Sequence, residues 1–548
     1  MRMKVLLAMV ALTICCRVMA VEVYSSYEER LGSTRHLASL AGDEAFGAKI
    51  DPATGEGVFY VPVLNIPGNN GLDISVAYRL GIRNVAGYTQ WYFEQDEPYI
   101  GGSFSQALGW VTYSGSASRC SQANTASGKP PRVKSSNGRN GWFEPDEYWS
   151  GYQLSMPGGG GSSLRQLGST SPVPLPTSGG PFHWAANDHW YFSCIALSTG
   201  TGEGFLGYSP DGLKYHFDTM RSTVLPLLNK FDSSGKDLDL DRYDIRIYAG
   251  KIEDRFGNYV SGLTASDGRT VTKTVSGNIV TFQYGARQWV VNTSTPYTVT
   301  YPDGSQWQAS VAGTIQDTFS VKGGCPGAGP STTNSTTTAT IVSPSGATGT
   351  YLFKPTKIGY SYVPKACVPT DDGGSASVHP KFLIRTSLAQ RTISGPGLQT
   401  STLTISYGAA NDCFLSECVS SSPTTRIVTY TEASGAYRKY TYGNRYFVNA
   451  DLLLRMEEGQ SSGAPLRTTD YEYSLLPRVG SYVGPISGTA DYFPSSFNRV
   501  VNVSRAITEA GALFSWKVAK TCGTSGTDLC IDAFGRPTKV VKSRTPAA

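Results

Sequence analysis

The chain has 548 residues, of which 40% are hydrophobic and only 16% charged, with a formal net charge of +5. So even a balance does not supply the concentrated basic face that phosphate backbones require, and no nucleic-acid partner is expected. The length exceeds what one ordinary core serves, so two or more domains are expected, and 61 glycines and 32 tyrosines set among Thr, Val and Ser favour strands over long helices.

The first residues read as an export signal. Arg2 and Lys4 give a positive start, Val5 to Cys16 form a short apolar run, and Val18-Met19-Ala20 supplies a small-residue cleavage pattern. Leu12-Thr13-Ile14-Cys15 has the outline of a lipoprotein box, but Ile14 is bulky where such boxes carry a small residue, so cleavage after Ala20 is preferred. Loss of residues 1–20 removes Arg2, Lys4 and Arg17 and no acid, lowering the formal charge from +5 to +2. No later stretch approaches the length of an apolar membrane span. The expected location is therefore exported: secreted, periplasmic or at the cell surface.

Strand patterns follow. Val58 to Leu64 ends at the turn Pro67-Gly68-Asn69-Asn70-Gly71, after which Leu72, Ile74, Val76 and Tyr78 alternate with Asp73, Ser75, Ala77 and Arg79 as in a half-buried strand. The same alternation recurs at Tyr243 to Tyr248, Thr298 to Tyr301 and Thr402 to Tyr407. Turns of one kind punctuate them: Pro210-Asp211-Gly212, Asp254-Arg255-Phe256-Gly257-Asn258, Asp267-Gly268, Pro302-Asp303-Gly304 and Asp532-Ala533-Phe534-Gly535-Arg536. Asp and Gly belong there because such turns need positive φ or a side-chain acceptor for the next amides. The pattern is a string of antiparallel hairpins.

Two stretches are poor in apolar residues and read as loops or linkers, 157–181 and 323–350. They divide the chain into a leader (1–20), an N-terminal β region (21–218, carrying the Gly/Ser/Pro-rich loop 157–181), a hairpin region (219–322), a linker or loop (323–350) and a second hairpin region (351–548). Eight cysteines remain after the leader: Cys120, Cys194, Cys325, Cys367, Cys413, Cys418, Cys522 and Cys530. An even set in an exported chain reads as disulfides. Pairing between sequence neighbours is favoured, because Cys413/Cys418 and Cys522/Cys530 each flank a short turn, where loop closure costs least.

Several of these segments resemble bacterial RHS/YD-repeat proteins, to which shell-forming components of toxin complexes are related. Asp51-Pro52-Ala53-Thr54-Gly55 and the Gly71–Tyr78 run resemble the family's opening, and residues 254–258 resemble its hairpin turn. Leu453 to Gly459, running to Leu466 to Tyr473, and Asp532 to Thr538 resemble its YD-type units. The resemblance covers residues 45–548 diffusely. It implies an all-β fold of repeated antiparallel hairpins forming a curved sheet or partial hollow shell, with a separate N-terminal β domain as one arrangement. Its partners would be a toxin polypeptide, other shell subunits or cell-surface glycans. Self-cleavage and toxicity do not transfer: that region carries a repeated Asp-Pro signature, and Asp51-Pro52 is the sole Asp-Pro here.

Reactive side chains are sparse. His183 and Asp188-His189, with Cys194 nearby, suggest a metal or acid–base cluster, although a loop rim packed by Trp184, Trp190, Tyr191 and Phe192 explains them more simply. Phe93-Glu94-Gln95-Asp96-Glu97-Pro98-Tyr99 is echoed by Phe143-Glu144-Pro145-Asp146-Glu147-Tyr148-Trp149. Aromatic faces beside carboxylates suit a glycan, making Glu94, Asp96, Glu97, Trp142, Glu144, Asp146 and Glu147 the candidate glycan-binding residues. Paired carboxylates are also what a glycosidase uses, while two equivalent aromatic hairpins would give the same echo. Asp232, Asp237, Asp239, Asp241 and Asp244 invite a calcium reading, but Arg242 stands where an EF-type loop needs Gly, and an exposed strand face fits as well. There is no nucleophile elbow, and the Gly158–Gly161 run lacks the Lys of a phosphate loop. The reading as a whole is an exported, non-catalytic RHS/YD-type structural or adhesion protein without a cofactor. A secreted carbohydrate-binding or carbohydrate-active protein is the alternative, and an inert remnant of a toxin gene a third.

Overall fold

The structure is a computed structural model that describes residues 45–545, except 69–70, 86–87, 111–117, 122–130, 144–147, 150, 168–174, 187–188, 232–236, 316–334, 364–366, 370–374, 378–380, 447, 462, 477–498, 523–528 and 532–536. The export signal, Cys325, Asp188, Asp232, the acids Glu144, Asp146 and Glu147, and the turn 532–536 lie outside the described residues.

The fold is all-β and antiparallel, built of three main sheets. The first has four strands in chain order, Ala48–Ile50, Gly57–Ile66, Ile74–Val85 and Tyr88–Gln95. Its alternation is the one legible in the sequence: Leu72, Ile74, Val76 and Tyr78 are all buried. The second, of eleven strands, is centred on the long hairpin Lys214–Phe231 and Asp237–Glu253, whose second strand also pairs with Tyr99–Ser105. The third is a nearly closed curved sheet of sixteen strands running from Thr272–Ser276 to Val540–Thr545. Each of its strands pairs with the next in the sheet; the small ribbon Cys367–Pro369 and Ser375–Ser377 stands outside it.

Such a meander needs a tight turn at each hairpin and one apolar face per strand. Thr337–Val342 and Tyr297–Thr300 alternate strictly between buried and half-buried positions. At residues 254–258, Asp254 Oδ1 accepts the Phe256 and Asn258 amides at 2.8 and 2.9 Å. At 302–305, Asp303 Oδ1 accepts the Ser305 amide at 2.9 Å, and Gly304 takes φ +82°, a conformation that favours glycine.

Strand Lys214–Phe231 runs through residue 218, and the 323–350 stretch contains Thr337–Val342 and the start of Thr348–Gly359. The 157–181 stretch holds the short strands Gly160–Ser163 and Arg165–Gln166. Low apolar content does not prevent strands in either stretch. Alternating Thr, Ala, Ile and Val suffices for a strand whose neighbours supply the bulk.

One core joins the first sheet to the curved sheet. Phe59, Val61, Leu80 and Phe93 pack with Phe282, Val291, Trp307, Ile341, Tyr351 and Leu403. Because successive strands from Val280 to Tyr442 all turn buried residues toward the same small sheet, that sheet occupies their concave side. Phe93 stacks on Trp307 at 5.6 Å, the Phe59 and Tyr351 rings meet edge-on at 4.6 Å, and Trp91 Nε1 donates to Thr337 Oγ1 at 2.8 Å. The hollow interior implied by the family resemblance is therefore filled along this stretch. Each fully buried aromatic there contributes on the order of 2–3 kcal/mol from apolar burial.

The Asp51–Gly55 turn is the deepest tie between the two sheets. Leu388 N donates to Gly55 O at 2.9 Å, and the Ser387 hydroxyl to Thr54 O. Gly55 has φ +74°, and an added Cβ would fall 1.8 Å from the Tyr407 hydroxyl oxygen, so both conformation and space require glycine.

The second sheet has its own aromatic core, in which Trp149, Tyr152, Phe205 and Phe217 are fully buried. The Arg119 guanidinium enters this core over the Trp110 ring at 5.0 Å and donates to Thr201 O and Glu203 O at 3.2 and 3.3 Å. Burial lowers its pKa to about 10. Next to it, Cys120 is bonded to Cys194.

Candidate functional site

The acid–aromatic segment 93–99 lies where the first sheet hands over to the second, and each of its acids meets a cation or an amide. Glu94 Oε1 accepts Arg79 Nε at 2.9 Å from the neighbouring strand and Arg246 Nη1 at 3.3 Å from the second sheet. Glu97 pairs with Arg221 Nη1 at 2.9 Å. Asp96 is buried, accepts the Gly158 amide at 2.9 Å and stands 4.0 Å from Arg79 Nη1. Arg246 also lies 4.7 Å over the Tyr99 ring and bonds Asp244 at 2.6 Å.

The electrostatics follow from these contacts. Burial works against ionised Glu94, but Arg79 and Arg246 outweigh it and hold the carboxyl below its ordinary range. For Asp96 burial prevails over the Gly158 amide and Arg79, and the carboxyl is raised. This is the chemistry of a junction between two sheets: charges neutralised in pairs, with the aromatic faces covered by guanidinium groups.

The echoing segment has a different setting. Trp142 and Phe143 form one short strand of a ribbon with Val133–Lys134. Phe143 is buried, whereas Trp142 is 38% exposed, with Arg132 and Lys134 at 4.6 and 5.5 Å from its ring.

His183 and His189 fall at opposite ends of the hairpin in which Ala186 pairs with Trp190 and Trp184 with Phe192. His183 N donates to Phe192 O at 3.0 Å, and His189 sits in the turn with φ +64°. Cys194, considered as a metal ligand, is oxidised instead. Of the aspartates in the calcium reading, Asp237, Asp239, Asp241 and Asp244 lie along the strand Asp237–Glu253, where Asp239 accepts from Asn137 and Asp244 from Arg246. Among the described residues no group of three His, Cys, Asp or Glu is placed to hold a metal ion. Cys413–Cys418 and Cys522–Cys530 are bonded, as neighbour pairing expected. Among the described residues no helix is long and apolar enough to cross a membrane.

A cleft lies elsewhere, at one rim of the curved sheet. Three of its hairpins turn at this rim, at residues 285–286, 301–305 and 343–347, as the pairs Tyr284 with Arg287, Thr300 with Gln306, and Val342 with Thr348 require. Between them lies a shallow, open depression of about 460 Å³ lined by Arg287, Trp289, Tyr301, Asp303, Ser305 and Pro344. Tyr301 is anchored to the first sheet through its hydroxyl, which donates to Pro62 O at 2.9 Å.

No protein-family model matches the chain, and no curated protein matches it in sequence.

From the sequence alone, Pro302-Asp303-Gly304 reads as a turn and nothing more. The signal available was the run of polar and aromatic residues beside successive turns, at Tyr284 to Trp289 and Tyr301 to Ser305. Only strand register brings those turns to one rim. The glycan reading of Glu94, Asp96 and Glu97 took aromatic–acid proximity along the chain as the signal, and the arginines that meet those acids come from other strands.

Proposed function

We propose that this chain is an exported, non-catalytic β-scaffold of RHS/YD type, serving as a structural or cell-surface binding component. The observation that carries the reading is the single, nearly closed sixteen-strand meander that shares one core with the N-terminal sheet. A wall of this kind, with no helical layer among the described residues and with loops tied by Cys413–Cys418 and Cys522–Cys530, suits a protein that endures outside the reducing cytoplasm. The described carboxylates of segment 93–99, engaged with Arg79, Arg221, Arg246 and the Gly158 amide, favour a structural over a glycosidic role. Association with a toxin polypeptide is the resemblance's further suggestion. Between Val280 and Tyr442 the buried face of the curved sheet packs against the N-terminal sheet, which argues against a cargo along that stretch.

Expression of the whole chain in a bacterial host, followed by fractionation, thiol titration and N-terminal mass analysis, tests the proposal. The expected product lies outside the cytoplasm, begins at Val21 and carries oxidised cysteines. A protein retained in the cytoplasm with all its thiols free would overturn it.

A further inference from the structure

The rim cleft combines groups that protein contacts already hold in place. Asp303 Oδ1 accepts both the amide and the hydroxyl of Ser305, at 2.9 and 2.7 Å, which fixes the carboxylate and keeps it ionised. Oδ2 has no protein partner among the described residues and stays free to accept. Tyr301 N donates to Ser305 O, and Gly304 N to Tyr301 O, both at 2.9 Å, so the turn is closed on itself. The Arg287 guanidinium lies over the Trp289 and Tyr284 rings at 5.6 and 5.3 Å and has no carboxylate partner among the described residues. It is held by stacking and retains its donors.

Such a lining is selective by charge. One guanidinium and one carboxylate in the same cleft sum to zero. An anion would gain from Arg287 and lose to Asp303, and a cation the reverse. A neutral ligand rich in hydroxyls can use both, because hydroxyl groups donate to Asp303 Oδ2 while hydroxyl or ring oxygens accept from Arg287. Tyr301 and Pro344 add apolar surface against which the C–H face of a sugar ring can lie.

We propose that the rim cleft formed by Arg287, Tyr301, Asp303 and Ser305 binds a neutral pyranose unit of a glycan. This deepens the reading of the chain as a binding scaffold and gives it a site distinct from the acid–aromatic segments. Asp303 and Arg287 recognise hydroxyls, and Tyr301, tethered to Pro62, holds the rim against the first sheet.

The test is saturation-transfer NMR on the full-length oxidised protein with methyl glucoside, methyl galactoside and methyl mannoside, and with glucuronate as the charged comparison. At least one neutral glycoside should receive saturation, with glucuronate weaker. Asp303→Asn, which preserves an acceptor for Ser305, and Arg287→Ala should each weaken binding at least about tenfold, with circular dichroism unchanged. Val541→Ala, at an exposed position in the last strand of the curved sheet, should leave binding as it is. Absence of transfer to all three glycosides, a preference for glucuronate, or binding that survives in the Arg287→Ala/Asp303→Asn double variant would each overturn the proposal. An exported, oxidised protein that binds no glycoside would remove the cleft assignment alone and leave the scaffold reading standing.

Discussion

Arg426 donates through Nη1 to the carbonyl oxygen of Ala53, a residue 373 positions earlier in the chain, at 2.5 Å. The guanidinium reaches this oxygen from strand Thr425–Glu432 of the curved sheet, bonds Asp451 through Nη2 at 2.8 Å and lies 4.9 Å over the Tyr442 ring. Its side chain is 4% exposed. One cation thereby fastens the opening turn to the wall that encloses it.

Replacing Arg426 by Met keeps apolar bulk and removes the donors. Ala53 O is then left without its charged partner, and a hydrogen bond to a charged group is worth about 1.5–3 kcal/mol. Arg426→Met should therefore lower the unfolding free energy by about 2–3 kcal/mol, read as a lower urea midpoint. Arg426→Lys should recover only part, since one ammonium does not reproduce the two-pronged reach to Ala53 and Asp451. A midpoint unchanged in Arg426→Met would contradict the fastening role.

The junction carries its own pH signature. Glu94 has its folded pKa held below the ordinary 4.5, so its contribution is complete above that value and is lost as pH falls through the depressed folded pKa. Asp96 works in the opposite direction. Its folded pKa is raised above 3.8, so its contribution is complete below that value and is lost as pH rises through the raised pKa. Glu94→Gln should lower stability at pH 7 and shrink the difference between pH 7 and pH 3. Asp96→Asn should instead enlarge that difference, which urea midpoints at the two pH values measure. Identical pH dependence in all three proteins would rule out the junction electrostatics described above.

The disulfides should rank by the loops they close. Cys120–Cys194 spans 74 residues and Cys413–Cys418 only 5. Chain-entropy reasoning gives about 4 kcal/mol for the longer loop and about 2 kcal/mol for the shorter. Thermal midpoints of the Cys120→Ala/Cys194→Ala and Cys413→Ala/Cys418→Ala double variants should fall in that order. The reverse order would show that strain or residual unfolded structure, rather than loop length, sets their worth.

Local patterns made much of the fold legible in the sequence. The alternation at residues 74–78, 243–248, 298–300 and 402–407 falls within observed strands, and the Asp-Gly turns at 211–212, 254–258 and 303–304 lie between strands. What sequence could not carry was pairing at a distance. Glu94 and Asp96 look like free acids until Arg79, 15 residues from Glu94, and Arg246, 152 residues from it, are placed beside them. The rim cleft was hidden for the same reason, because only strand register brings Arg287 and Asp303 to one rim. Local pattern gave the hairpins, and the curvature of the wall followed only from the family resemblance; its packing against the first sheet depends on Phe93 reaching Trp307 across 5.6 Å, which no local pattern encodes.

Hydrogen exchange read by mass spectrometry tests the enclosure of the first sheet most directly. If the curved sheet encloses it, amides of Gly57–Ile66 should exchange as slowly as those of Thr348–Gly359, and Phe93→Ala should speed both together. Rapid exchange across Gly57–Ile66 while Thr348–Gly359 stays protected would mean that the N-terminal sheet does not fill the wall, and the account would fail.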